Sequence, residues 1–157
     1  MENSLRELRA TVLPIPDRYP VETILIESKR RKAQPLVTVI HGGPHGQIPT
    51  AFTPSLAAYA LQGCTMMASL SSLLKLTSHT HIDTLNIPNY TGSTGYGEFY
   101  VQKLIGKCGT LDVEDVKATV DHIVKEGEGE YGPGKQIVTG GSHGGFLTAH
   151  REYNQHG

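Results

Sequence analysis

Gln136-Ile137-Val138-Thr139-Gly140-Gly141-Ser142-His143-Gly144-Gly145-Phe146 is the stretch that decides the fold. Gln136 to Thr139 is short and β-branched, which suits a strand. It runs straight into Gly140-x-Ser142-x-Gly144, and Phe146 to His150 reads as the first turns of a helix. A serine held on a tight strand-to-helix turn needs small residues two before and two after it, because any Cβ there would collide across the turn. The helix that follows aims its free amides and positive dipole end at the serine. Alone, the pattern recurs by chance in a chain with 18 glycines, as a Gly-rich turn with a capping serine. The strand before it and the helix after it are the context that makes Ser142 a candidate nucleophile, with Gly140 and Gly144 as the elbow glycines.

A second stretch has the same character. Leu36 to Ile40 is a continuous apolar and β-branched run, as in a strand buried on both faces, and it leads directly into His41-Gly42-Gly43-Pro44. An oxyanion hole needs two backbone N–H groups aimed at one point. One comes from the residue after the nucleophile, here His143. The other comes from a glycine-rich loop after an earlier strand, here Gly43. Read alone, His41 to Pro44 is equally well a plain β-turn. Two such motifs, in order and on the right elements, are far more specific than either one.

Working outward, Val21 to Ser28 alternates apolar and polar residues as a half-buried strand, and Thr84 to Tyr90 reads as another. Thr53 to Gln62 has helical spacing and ends at Gly63. Asp112 to Glu126 is an amphipathic helix, with Asp112 as its cap and Glu114 and Asp115 as charges near its start. Pro14, Pro16 and Pro20 mark residues 11 to 20 as an extended linker. Strands alternating with helices predict an α/β fold, with a mostly parallel, doubly wound sheet. Leu36–Ile40, Thr84–Tyr90 and Gln136–Thr139 are expected as parallel neighbours, with His41–Pro44 and Ser142 at one carboxyl-end edge. Thr65 to Asp83 is too long for a connection in such a unit and reads as an insertion that packs poorly.

These pieces resemble the acylaminoacyl-peptidase branch of the prolyl oligopeptidase family of serine peptidases. The resemblance covers about Val21 to His150 without Thr65 to Asp83. It rests on LVTVIHGGPHG (36–46), NYTGSTGYGE (89–98), GTLDVEDV (109–116) and GGSHGGF (140–146). Family members often have Tyr after the nucleophile, and His143 there points to this branch. The family motif carries Arg where this chain has Thr91. The resemblance implies an α/β-hydrolase fold. It also implies hydrolysis of short N-acylated peptides through an acyl-enzyme on Ser142, with the Gly43 and His143 amides as oxyanion donors.

In that fold the triad runs in chain order: serine, then Asp or Glu, then His. Among the fifteen residues after Ser142, Glu152 is the sole acid and His156 a late histidine, within or just beyond the nucleophile's helix. His143 is adjacent to the serine and is expected to point away from it, and His41 and His45 read as structural. The fold is therefore expected to be partial, truncated after the nucleophile elbow. Residues 1–20 would be a linker from an N-terminal propeller, 21–150 the front of the peptidase domain, and 151–157 an aberrant tail. Ser142 would then be an unactivated alcohol, and its strand a sheet edge. The alternatives are a non-catalytic fragment or pseudoenzyme acting as a binding module, and a small esterase completed by a partner chain.

Composition narrows the rest. Fourteen basic against 15 acidic side chains recommend neither nucleic acid nor an anionic membrane as partner. Two cysteines, Cys64 and Cys108, make no disulfide framework and fit reduced thiols. Met1 to Ala10 is charged rather than a signal-peptide core, and no run has the ~18 apolar residues of a membrane span, so the expected home is the cytoplasm. No cofactor is expected. Gly129 to Lys135 resembles a phosphate loop but precedes a strand and lacks the final Ser or Thr. Cys64, His79 and His81 match no zinc spacing, and no metal is expected.

Overall fold

In a computed structural model of the chain, the two glycine-rich turns follow two neighbouring parallel strands, Leu36–Ile40 and Gln136–Gly140. The structure describes residues 6, 8–28, 36–51, 53, 54, 56, 57, 84–127 and 135–154. Among the described residues five strands form one sheet: β1 (Leu8–Pro14), β2 (Glu22–Ser28), β3 (Leu36–Ile40), β4 (Thr84–Asn89) and β5 (Gln136–Gly140). Among the described residues the helices that pack with it include α1 (Glu98–Gln102), α2 (Leu111–Lys125) and α3 (His143–Asn154). Thr65–Asp83, most of the helix expected from Thr53, and the polar loop 128–134 lie outside the described residues.

The strand order is β1-β2-β4-β3-β5. β3 lies parallel to both β4 and β5, with Leu36 opposite Thr84 and Gln136, as the run of β-branched strands predicts. β2 is antiparallel to β1 and β4. The sheet is therefore mixed rather than mostly parallel, its amino-terminal part being a hairpin added to a parallel unit. β5 stands at one edge and is half-buried throughout, whereas β4 between two neighbours is buried at all six positions.

The stretch expected as a proline-rich linker differs most. Leu8–Pro14 pairs with β2 along its whole length, from Leu8↔Ser28 to Pro14↔Glu22. Proline removes a donor but is tolerated at the end of an edge strand, where one side of the backbone needs no partner. Beyond Pro14 the chain turns, and Ile15 and Val21 bury against Tyr100. At the other end, α3 runs through Asn154, four residues into the stretch read as a tail.

Alternation along β3 sorts the two faces. Leu36 packs with Leu25, Val120 and Ile123, and Ile40 with Tyr90, Val116 and Leu147, so α2 and α3 cover one face. Val37 packs on the other with Ile24, Leu56, Leu85 and Ile87. Between the strands sits Asn86, fully buried. Its amide nitrogen donates to Thr38 Oγ1 of β3 at 3.2 Å and to Thr119 Oγ1 of α2 at 3.0 Å, and its oxygen accepts from Thr23 Oγ1 of β2 at 2.5 Å. A satisfied polar group of this kind tolerates one register only, since a slip would strand it. Among the described residues no helix is long and apolar enough to cross a membrane.

Candidate active site

The end of β5 turns sharply at Ser142, which has φ 53°. A non-glycine residue in this left-handed region carries strain of ~1–2 kcal/mol and persists only where its surroundings enforce it. The enforcement is visible in the flanking glycines. A Cβ on Gly140 would lie 2.6 Å from the Gly144 carbonyl and 2.8 Å from Ile40 O. A Cβ on Gly144 would run into Ile40 O and stand 2.9 Å from His41 O. Backbone thus packs on backbone where strand, turn and helix meet, as the spacing of Gly140, Ser142 and Gly144 predicts. Gly144 N donates to Gly141 O at 2.9 Å and Phe146 N to Ser142 O at 3.1 Å, which starts the helix.

The His41–Pro44 loop lies beside this turn. A Cβ built on Gly42 would be 3.5 Å from Ser142 Cβ and 3.2 Å from Gly141 O. Both glycine-rich loops therefore stand at the same carboxyl-end edge. His143, the first residue of α3, has no acceptor for its amide one turn earlier in the helix. Ser142 itself is exposed.

His41 holds its loop from beneath. It is 7% exposed and stacks on Tyr90 with ring centroids 4.4 Å apart. Its Nδ1 donates to Gly42 O at 2.7 Å, and its Nε2 lies 2.9 Å from Ser93 Oγ. Burial pushes the His41 pKa below the usual histidine value, against the Gly42 hydrogen bond that raises it, and nearby His143 adds to the lowering. Ser93 Oγ, beside Nε2, itself donates to Tyr90 O at 2.7 Å, which ties the ring to the start of the next loop. The Tyr90 hydroxyl donates to His41 O at 3.0 Å. His45 lies over the next loop, Nδ1 3.0 Å from Gly92 O. Both imidazoles are engaged in structure, as expected.

His143 does point to a partner other than the serine. Its Nε2 is 2.8 Å from Asp112 Oδ2, and Asp112 is fully buried. Asp112 was expected to cap α2. The cap is instead Thr110, without a side-chain cap bond, and Asp112 sits inside the first turn. Its Oδ1 accepts from Gly109 N at 2.8 Å and Val113 N at 3.0 Å, which leaves Oδ2 to tie α2 to the nucleophile turn. Asp115, expected as another helix-start charge, is 1% exposed. It accepts from Arg18 Nη1 at 2.7 Å and from Thr91 N at 2.9 Å. Only Glu114 has the expected surface character, 3.1 Å from Arg18 Nη2. The i, i+3 spacing of Asp112 and Asp115 on a helix that also carries Val116 and Thr119 was the available signal that both face inward.

Among the described residues, no imidazole or carboxylate hydrogen-bonds to Ser142 Oγ. The apolar hollow lined by Leu8, Ile24, Ile48, Leu56 and Ile87 opens on the Val37 face, and no residue of the serine turn lines it.

Comparison with known proteins agrees with this architecture. Residues 84–152 match the prolyl oligopeptidase family. The acylamino-acid-releasing enzyme of Arabidopsis thaliana is 37% identical over 137 residues, which cover 85% of this chain and 15% of that protein. A puromycin-hydrolyzing peptidase of Mycobacterium tuberculosis superposes with a TM-score of 0.67 at 26% identity, over 92% of this chain and 20% of that one. An acylaminoacyl peptidase of Pyrococcus horikoshii superposes with a TM-score of 0.63 at 20% identity, over the same shares, and supports the fold. The fold is that of an α/β-hydrolase peptidase domain, in part, and the chain spans about a seventh of the length of the curated relatives.

Proposed function

We propose, on the premise that residues 84–152 belong to the prolyl oligopeptidase family, that the chain carries the nucleophile side of a serine-peptidase site. The substrate class is a short N-acylated peptide, split through an acyl-enzyme on Ser142. What carries this reading is one observation: Ser142 is held at φ 53° in its glycine-rich turn, beside Gly42 of the second glycine-rich loop at the same sheet edge.

In this mechanism Ser142 Oγ attacks the carbonyl carbon of the scissile bond, and its proton must pass to a base. The oxygen of the tetrahedral intermediate takes hydrogen bonds from the amides of His143 and Gly43. The amine leaves with a proton, and water then releases the acyl group. The names of the relatives, acylamino-acid-releasing enzyme and acylaminoacyl peptidase, support the N-acyl preference. Charge balance and the cysteine content support a cytoplasmic setting.

Among the described residues no base reaches Ser142. Both nearby imidazoles are committed elsewhere, His41 to Gly42 and Ser93 and His143 to Asp112. The 157-residue chain by itself is therefore proposed to be without turnover. A second reading, a non-catalytic chain of peptidase ancestry, is favoured by the same absence. A fluorophosphonate probe separates the two. Labelling of Ser142, confirmed by mass spectrometry and lost in Ser142→Ala, means that a base reaches the serine and the chain is a hydrolase. No labelling of the folded chain leaves the non-catalytic reading.

A further inference from the structure

The chemistry around His143 does not end with Asp112. Cys108 lies on the turn before α2, exposed and not in a disulfide. Its Sγ is 4.0 Å from His143 Nδ1 and 4.0 Å from Nε2. One ligand atom from each of Cys108, Asp112 and His143 lies within 4.8 Å of the other two. We propose that these three side chains form a binding site for a thiophilic divalent cation of the zinc class, one residue from Ser142.

Three properties carry this. The donor set is one sulfur, one imidazole nitrogen and one carboxylate oxygen, the mixture that suits zinc and not the oxygen-seeking magnesium or calcium. The spacing is close to what coordination needs. Bonds of ~2.0–2.3 Å in a tetrahedron place ligand atoms ~3.3–3.7 Å apart. The observed 2.8 Å between nitrogen and oxygen and 4.0 Å between sulfur and nitrogen bracket that range, and all three ligand atoms lie within 4.8 Å of one another. The third property is support. Asp112 is fully buried and oriented by two backbone N–H groups, and His143 is fixed at the start of α3 with its side chain 10% exposed. Ligands held by such outer contacts lose little freedom on binding. Cys108 alone stands at the surface, which leaves an entry path and a fourth position for water.

The cation would pin the loop before α2 to the serine turn. Its binding does not depend on hydrolysis, so the site stands or falls separately from the function proposed above.

The test is a titration of the reduced, metal-free chain with Co²⁺, followed by displacement with Zn²⁺. One equivalent should bind and produce a near-ultraviolet thiolate-to-cobalt charge-transfer band that Zn²⁺ abolishes. Cys108→Ala, with its fold checked by circular dichroism, should lose the band and bind Zn²⁺ at least about tenfold more weakly. Cys64→Ser should keep both. As a second measurement on unaltered protein, Zn²⁺ should slow alkylation of Cys108 by iodoacetamide at least about tenfold. No thiolate band, a band that survives Cys108→Ala or is lost in Cys64→Ser, or an unprotected Cys108 would overturn the site.

Discussion

Gly144 packs directly against the carbonyl oxygen of Ile40, with no space for a side chain between helix α3 and strand β3. This contact joins the serine turn to the loop that begins at His41. Gly144→Ala must push backbone apart and should lower stability by about 1–3 kcal/mol. Gly141→Ala faces open space and should change it by less than about 0.5 kcal/mol. Urea midpoints of the two variants check this, and equal midpoints would contradict the packing.

Ser142 supplies a test in which stability and activity separate. Relief of the strain at φ 53° should make Ser142→Gly more stable than the unaltered chain by about 1 kcal/mol. Turnover of an N-acetylated aminoacyl substrate should be the same for the chain and its Ser142→Ala variant. Without a base the serine proton has nowhere to go. Serine-dependent turnover in a paired assay at equal concentration would withdraw the proposal that no base reaches it.

Arg18 binds two acidic residues of very different worth. Asp115 is buried and also holds the Thr91 amide, so Asp115→Ala strands an N–H and a partly buried guanidinium. The expected cost is about 2–4 kcal/mol. Glu114 is a solvent-exposed partner, and Glu114→Ala should cost less than about 0.5 kcal/mol. Thermal or urea unfolding of the pair measures both, and similar losses would mean that Asp115 is not the anchor.

His41 makes stability depend on acid. Its folded pKa lies below the ordinary value of about 6.5. Below that pH the unfolded chain binds a proton that the folded chain refuses, so the stabilisation is present above about 6.5 and is lost progressively as pH falls toward the folded pKa. The proximity of His143 adds to the lowering at His41. Urea midpoints at decreasing pH should fall more steeply for the unaltered chain than for His41→Gln. Parallel curves would show that His41 titrates normally.

The parts of this protein legible in its residues are those that local geometry dictates. Strands β3, β4 and β5 lie within a residue of where β-branched runs place them, because a buried parallel strand must be apolar on both faces. The turn at Ser142 was legible because only glycine fits at 140 and 144. Both features are written in neighbouring residues.

Tertiary structure decided the rest. Residues 11 to 20 read as an extended linker, yet Leu8–Pro14 becomes a strand where β2 presents an open edge, since pairing depends on a strand that follows it and not on its own composition. The hairpin it forms makes the sheet mixed. Asp112 and Asp115 look like charges at a helix start. They become buried anchors only when Arg18, 97 residues before Asp115, and His143, 31 residues after Asp112, arrive beside them. Periodicity reports which face of a helix is apolar, but not which distant hydrogen-bond donor will make burial of a carboxylate favourable. That depends on the packing of β-sheet, loop and helix together, because a buried charge is stable only where its partner is already held in place.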